Sequence, residues 1–360
     1  DDEMNDEDFN FDFDSKGNMK PNANNISQIF KADQALKCLI AKDEFKDRII
    51  LTRKPAWRNG FAGDDFRDVD FAGIRVHIEN KYGISAANKI DDAIQMEAEK
   101  NSFHPVKDYL TKLVWDGTPR VDTLLIDFMK AEDTLYTREA IRIMLVGAVR
   151  RIFRAGYKFD SMLVLQSGQG AGKSKLISLL GKSWFSDSLS TMDGKAAYEQ
   201  LQGNWILEVA ELSAMKKAEV EGVKNFISKT EDNFRPAYGR VTVNYKRQCV
   251  FFGTTNQYEF LKDTTGGRRF LPVVVEANER TADLFKPEMK DYIDQVWAEA
   301  VKMHYDGVST LLSPEAENVA NDLREEHLEV DSRAEYIERY LDMRVPSDWY
   351  DMNPSERSMY

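Results

Sequence analysis

The stretch 163–174, LVLQSGQGAGKS, holds residue types suited to gripping a chain of phosphates. That chemistry needs backbone N–H groups turned into a concavity at a helix start, a cation for the terminal phosphate and a hydroxyl for the accompanying metal ion. Gly170 and Gly172 let the backbone approach closely, Lys173 brings the charge and Ser174 the hydroxyl, with Gly168, Gln169 and Ala171 completing the loop. The usual spacing is G-x-x-x-x-G-K-[ST]. Here Ser167 holds the place of its first glycine. That position lies where the loop leaves its strand and is least tied to phosphate contact, and Gly168 beside it can absorb an awkward torsion. The expected ligands are therefore ATP and Mg2+.

Hydrolysis would also need acids and a sensor for the terminal phosphate. WILEVAEL puts Glu208 and Glu211 in or just past an apolar strand, where an acid is costly to bury without a cation or donor. Both are candidates for Mg2+ binding and for orienting the attacking water. Glu211, at the strand's end, is favoured for both tasks, while Glu208 is read equally well as the partner of a neighbouring base. Asn256 ends a third apolar run, in GTTNQ, placed to hold the lytic water or the γ-phosphate. Arg268 and Arg269 follow a pair of glycines in DTTGGRRFLPV, and one of them is the candidate arginine finger, supplied across a subunit boundary.

Between residues 216 and 247 eight bases stand against four acids, with Phe234, Tyr238 and Tyr245 among them. Aromatic rings stack on unpaired bases while cations track phosphates, so Arg235, Tyr238, Arg240, Lys246 and Arg247 are candidates for contact with DNA. The plainer reading is a solvated amphipathic hairpin. Arg53, Lys54, Trp57 and Arg58 form a smaller basic-aromatic group, read as a solvated turn.

The elements that must carry these residues follow from texture. DSMLVLQ, NWILEVAEL and QCVFFGTTN are short apolar runs without helical period, suited to parallel strands buried on both faces. KSKLISLLG follows the glycines as a helix that Gly181 is expected to close. Strands alternating with helices predict an α/β fold, a P-loop NTPase of AAA+-like type whose parallel sheet is flanked by helices, with ligand sites at the strands' carboxyl ends. Four segments are expected: an acidic disordered tail over 1–20, a small mixed α/β domain over 21–102, the ATPase core over 103–279 with a helical lead-in, and a helical region over 280–360. The chain has 360 residues and a formal charge of −12, but eight acids fall in the first fourteen positions, so the remainder is near balance and does not exclude a nucleic-acid partner. Two distant cysteines and four scattered histidines offer no zinc spacing. No apolar run approaches a membrane span and no signal pattern opens the chain, so a cytoplasmic location with no membrane partner is expected.

Taken in order, GQGAGKS, GNWILEVAEL, DNFRPAYGRVTVNYKRQCVFFGTTN and TGGRRFLPV resemble the virulence-associated E protein family, ATPases of helicase superfamily 3 found on prophages and pathogenicity islands. The resemblance is dense over residues 103–275. It implies that Lys173 and Ser174 are the Walker A pair, Glu208 and Glu211 the Walker B acids, Asn256 the first sensor, and Arg268 or Arg269 the finger. It further implies a homo-oligomeric ring, a hexamer in most such proteins, moving 3′ to 5′ on single-stranded or forked DNA, with residues 235–247 directed into the channel. The function so implied is that of an ATP-dependent replicative DNA helicase domain of a mobile element. A DNA-binding replication scaffold with an inactive nucleotide site is the alternative, for which Ser167 is the hint. A P-loop ATPase that remodels proteins is a third.

Overall fold

The structure, a computed structural model, describes residues 9–61, 63, 65–189, 191–211, 217–235, 241–257, 267–328, 342, 349–350 and 352–357. Helix α1 (Ala23–Ala32) is opened by Asn22, whose side chain accepts from Asn25 N. Strands β1 (Ile40–Asp43) and β2 (Arg48–Leu51) then pair antiparallel, Ile40 opposite Leu51. Helices α2 (Asp68–Tyr82) and α3 (Ala87–Lys100) follow. Their isoleucines recur four apart, Ile74 with Ile78 and Ile90 with Ile94, and close a small core with Ile26, Ile29 and Phe30. Below that core the buried Asp33 accepts from His77 Nε2 at 2.9 Å, Lys81 Nζ at 2.9 Å and Tyr82 Oη at 2.8 Å. Burial alone would raise this carboxyl's pKa, but the three donors outweigh it and hold it well below the usual range.

Two expectations change here. Residues 9–20, expected to be part of a solvated tail, fold onto α1. Asn25 accepts from Asp12 N and donates to the carbonyls of Asp12 and Lys20, while Phe11 and Met19 pack on the small core. Residues 1–8 lie outside the described part. In the basic-aromatic group at 53–58, Arg53 and Lys54 stay exposed as a solvated turn requires, Arg53 donating to the carbonyls of Gln34 and Lys37, whereas Trp57 and Arg58 are half-buried and donate to Asp70.

Helices α4 (Pro105–Lys112), α5 (Leu124–Met129) and α6 (Leu135–Phe153) lead into the main sheet. Then come β3 (Met162–Gln166), α7 (Lys173–Gly181), β4 (Phe185–Ser186), α8 (Gly194–Leu201), β5 (Ile206–Val209) and α9 (Lys217–Ile227). An antiparallel hairpin of β6 (Glu231–Phe234) and β7 (Val243–Lys246) precedes β8 (Val250–Thr255) and β9 (Phe270–Val274). Helices α10 (Met289–Tyr305), α11 (Pro314–Glu326) and the short α12 (Pro354–Arg357) complete the described part. Ser313 opens α11 by accepting from Ala316 N, with Pro314 in the first turn, where a missing N–H costs nothing.

The five main strands are parallel and ordered β4-β5-β8-β3-β9. Apart from the two-residue β4, which is half-buried, each buries both faces, and the period of two divides its side chains between two cores. Leu163 and Leu165 of β3, Phe252 of β8 and Leu271 of β9 face the larger core, built with α4, α6, α7, α10 and α11. Met162, Val164, Phe251 and Phe270 face the smaller one, built with α8 and α9. Residues of α10 and α11 thus share the sheet's main core, so the boundary expected at 279–280 is not a packing boundary. Trp205 and Trp297 pack with tilted rings 4.2 Å apart between centroids, and their indole N–H groups donate to the carbonyls of Ala148 and Leu180. Gly181 does not close α7 but keeps a right-handed helical backbone; the cap is Lys182, with a positive φ of 51°. The glycine serves packing instead, because a Cβ there would lie 2.6 Å from Cβ of Phe185.

Candidate active site

The parallel arrangement brings three strand tips to one edge of the sheet, with β8 between β3 and β5. The glycine-rich loop runs from the end of β3 into α7. Gly170 and Gly172 both have left-handed backbones, φ 83° and 80°, as the close turn onto the helix requires. Ser167 does not: its backbone lies outside the positive-φ region, so the position that usually holds glycine makes no special demand here. Its side chain has a task of its own, accepting from Lys173 Nζ at 2.7 Å.

Lys173 is buried, and its ammonium also donates to the carbonyls of Ser167 and Gly168 and to Asn256 Oδ1 at 2.9 Å. Lys173 and Asn256, 83 positions apart in sequence, are thus in direct contact. Burial lowers the lysine's pKa, and the nearby Glu208 carboxylate opposes that fall.

The carboxylate that reaches Ser174 is Glu208, not the favoured Glu211. Glu208 Oε1 accepts from Ser174 Oγ at 2.7 Å and from Thr254 Oγ1 at 2.8 Å. Its other oxygen, Oε2, is buried and has no hydrogen-bond partner among the described residues. Strand parity explains the choice: Glu208 lies on the same side of β5 as Ile206, which packs with Leu176 and Ile177 of α7. Glu211 lies two residues beyond the strand's end, exposed, with φ 54°. A left-handed backbone costs a non-glycine residue about 1–2 kcal/mol, and such outliers gather at functional sites. Thr254 went unread in the sequence, although its spacing two residues before Asn256 puts it on a buried face of β8.

A magnesium ion fits this donor set. Such ions take one or two protein oxygens, with phosphate oxygens and water filling the remainder. Ser174 Oγ and the unpartnered Glu208 Oε2 are oxygens of that kind.

Arg268 and Arg269 stand at the opposite edge. They end a 3-10 turn just before β9, whose first residue pairs with the first residue of β3. The length of β9, at about 3.3 Å per residue, separates them from the loop by roughly 16 Å. Arg268 is exposed, and its carbonyl accepts from Arg324. Arg269 is half-buried, its Nε donating to Ser228 Oγ at 2.7 Å. Neither approaches Lys173 of its own chain.

The hairpin β6-β7 rises from the same edge as these arginines. Lys246 and Arg235 are exposed, whereas Tyr238 and Arg240 lie outside the described residues. Arg247 is a correction. Its guanidinium is buried, pairing with Asp232 at 2.6 and 2.8 Å, donating to the carbonyl of Phe226 and lying 4.3 Å from the Phe226 ring centroid. It holds the foot of the hairpin and offers nothing to a phosphate. Lys158 and Arg151 join it at the end of α9, donating to the carbonyls of Ser228 and Lys229. Among the described residues no helix is long and apolar enough to cross a membrane.

The profile of the virulence-associated protein E-like domain matches residues 110–329. The chain belongs to that family. The match takes in every residue of the virulence-associated E-like site described above and begins after the small N-terminal core. No curated protein matches the chain. Among solved structures, "The apo structure of NrS-1 C terminal region (305-718)" is similar at 14% identity and a TM-score of 0.47, covering 89% of this chain and 81% of that one. An A form of the apo NrS-1 C terminal region gives 14% and 0.46 over the same shares. At such identity and TM-score the likeness is too remote to transfer a function.

Proposed function

We propose that this virulence-associated E-like chain is an ATP- and Mg2+-dependent DNA motor, a replicative helicase domain of a mobile element that hydrolyses ATP between the subunits of a homo-oligomeric ring. The observation that carries the reading is the meeting of Lys173, Asn256, Ser174 and Glu208 at one edge of the sheet. In this reading the N–H groups around Gly170 and Gly172 hold the phosphates, and Lys173 exchanges its present acceptors for the terminal ones. Ser174 and Glu208 hold Mg2+, which when bound neutralises charge on the phosphates. Glu211 takes the proton of the water that attacks the γ-phosphorus, the bond to the bridging oxygen breaks, and ADP and phosphate leave. Asn256 orients that water.

A guanidinium at the far edge cannot serve its own loop but can serve a neighbour's, which supports Arg268 as the finger and a ring, six-membered in the family resemblance, as the working form. Exposed Lys246 and Arg235, on the hairpin that enters β8 at the edge opposite the phosphate loop, support single-stranded or forked DNA as the partner. The inactive-scaffold reading loses its hint, since Ser167 distorts nothing and helps to hold Lys173.

The test is steady-state ATP turnover with and without single-stranded DNA, for the parent, Lys173→Ala, Glu208→Gln and Glu211→Gln. All three variants are expected to keep the parent's thermal unfolding and to lose turnover, Lys173→Ala to background. Equal rates in Lys173→Ala and the parent would remove the assignment.

A further inference from the structure

Phe285 exposes a large apolar ring beside the phosphate loop. It is the last residue of the 3-10 turn Glu279–Phe285, and its side chain is 67% exposed, although the adjacent Leu284 is buried in the main core. The turn is firmly held: Asn278 and Thr281 form a capping box, and Thr281 Oγ1 donates to the carbonyl of Phe128 at 2.7 Å. It also rests directly on the loop. A Cβ at Gly172 would lie 3.1 Å from Thr281 Cγ2 and 3.3 Å from Leu284 Cδ1. The ring itself lies near Lys175, the residue after Ser174, whose ammonium is 5.4 Å from its centroid.

Direction follows from strand order. The loop leaves β3, which has β8 on one side and β9 on the other. Lys173 reaches Asn256 on the β8 side, and Ser174 reaches Glu208 on β5 beyond it, so the hydrolytic end of a bound triphosphate points that way. The remainder of the nucleotide must leave over the opposite flank of α7, which the segment after β9 covers. Phe285 sits on that segment, and an exposed, well-supported aromatic ring there is a surface on which a planar base can stack. Lys175 adds a cation–π contact that steadies the ring.

We propose that Phe285 is the stacking platform for the nucleotide's purine base. The proposal rests on the nucleotide reading above, and its test separates the two. Equilibrium affinities for ATP, CTP and inorganic tripolyphosphate, each with Mg2+, would be measured for the full chain and for Phe285→Ala and Phe285→Trp. The parent is expected to prefer ATP to both others. Phe285→Ala should bind ATP about tenfold more weakly, the loss of one base–aromatic stack. Its affinity for tripolyphosphate should not change, its preference for ATP over CTP should shrink, and Phe285→Trp should restore both affinity and preference. Unchanged ATP affinity in Phe285→Ala would overturn the platform. So would an equal loss for ATP and tripolyphosphate, which would make the ring a support for the loop, and so would a parent that binds tripolyphosphate as tightly as ATP. A parent that binds no polyphosphate at all would remove the nucleotide reading, and the platform with it.

Discussion

Replacing Arg247 with alanine separates the two tasks that a cation at the foot of the hairpin can perform. Its side chain and that of Asp232 are 1% and 4% exposed, and they meet through two hydrogen bonds of 2.6 and 2.8 Å. Truncating one partner of such a pair strands the other charge in the interior, at a cost of about 3–5 kcal/mol. For a cooperative unit of a few hundred residues each kcal/mol shifts the melting temperature by about 2 °C, so Arg247→Ala should lower it by roughly 6–10 °C. Asp232→Ala should do the same. The double variant Arg247→Met with Asp232→Leu should recover most of the loss, because it leaves no buried charge behind. The assays are thermal unfolding by circular dichroism and binding to a single-stranded oligonucleotide across a salt series. An exposed phosphate contact would behave in the opposite way. If Arg247→Ala kept the parent's melting temperature and instead flattened the salt dependence of DNA binding, the buried reading of this residue would be refuted.

Three other outcomes follow from the same geometry. Arg268→Ala and Lys173→Ala should each lack ATP turnover, yet an equal mixture should regain about a quarter of the parental rate, the share of interfaces that pair an intact loop with an intact arginine at random; no recovery would count against a shared site. Lys246→Ala should leave stability unchanged while reducing the slope of log affinity against log salt for single-stranded DNA by about 0.7, as one lost phosphate contact does, and an unchanged slope would remove Lys246 from the DNA surface. His304, stacked on Phe153, has its pKa lowered by burial first and by Arg150 and Arg154 next. A histidine that titrates lower when folded leaves the unfolded chain with more protons, so stability should fall as pH drops through its ordinary value of about 6.5. His304→Phe should flatten the melting temperature between pH 7.5 and 5.5, and identical slopes would exclude this residue as the cause.

What could be read from the sequence was what rests on local pattern. Buried parallel strands are apolar runs, and glycines before GKS demand a loop and then a helix, so β3, β5, β8 and α7 were legible. Strand β9 was not, because FLPV is short and contains Pro272, which gives no N–H to a ladder; as the last strand of the order it tolerates that lack. The burial of Arg247 was invisible for a different reason. A basic residue in a basic segment looks solvated until the hairpin register brings Asp232, fifteen positions earlier, against it. The choice between Glu208 and Glu211 lay in between. Strand parity points Glu208 toward α7, but the parity counts only once the strand's end at Val209 is known.

Because every strand of the main sheet runs the same way, its two rims differ in chemistry, with lysine and acid at one and paired arginines at the other. Two copies related by a twofold axis would meet through identical surfaces, so one contact patch could not match such unlike rims. Copies that share them must stack in a single sense, each leaving one rim of each kind for the next, and only curvature that closes on itself spares such a stack from growing without limit.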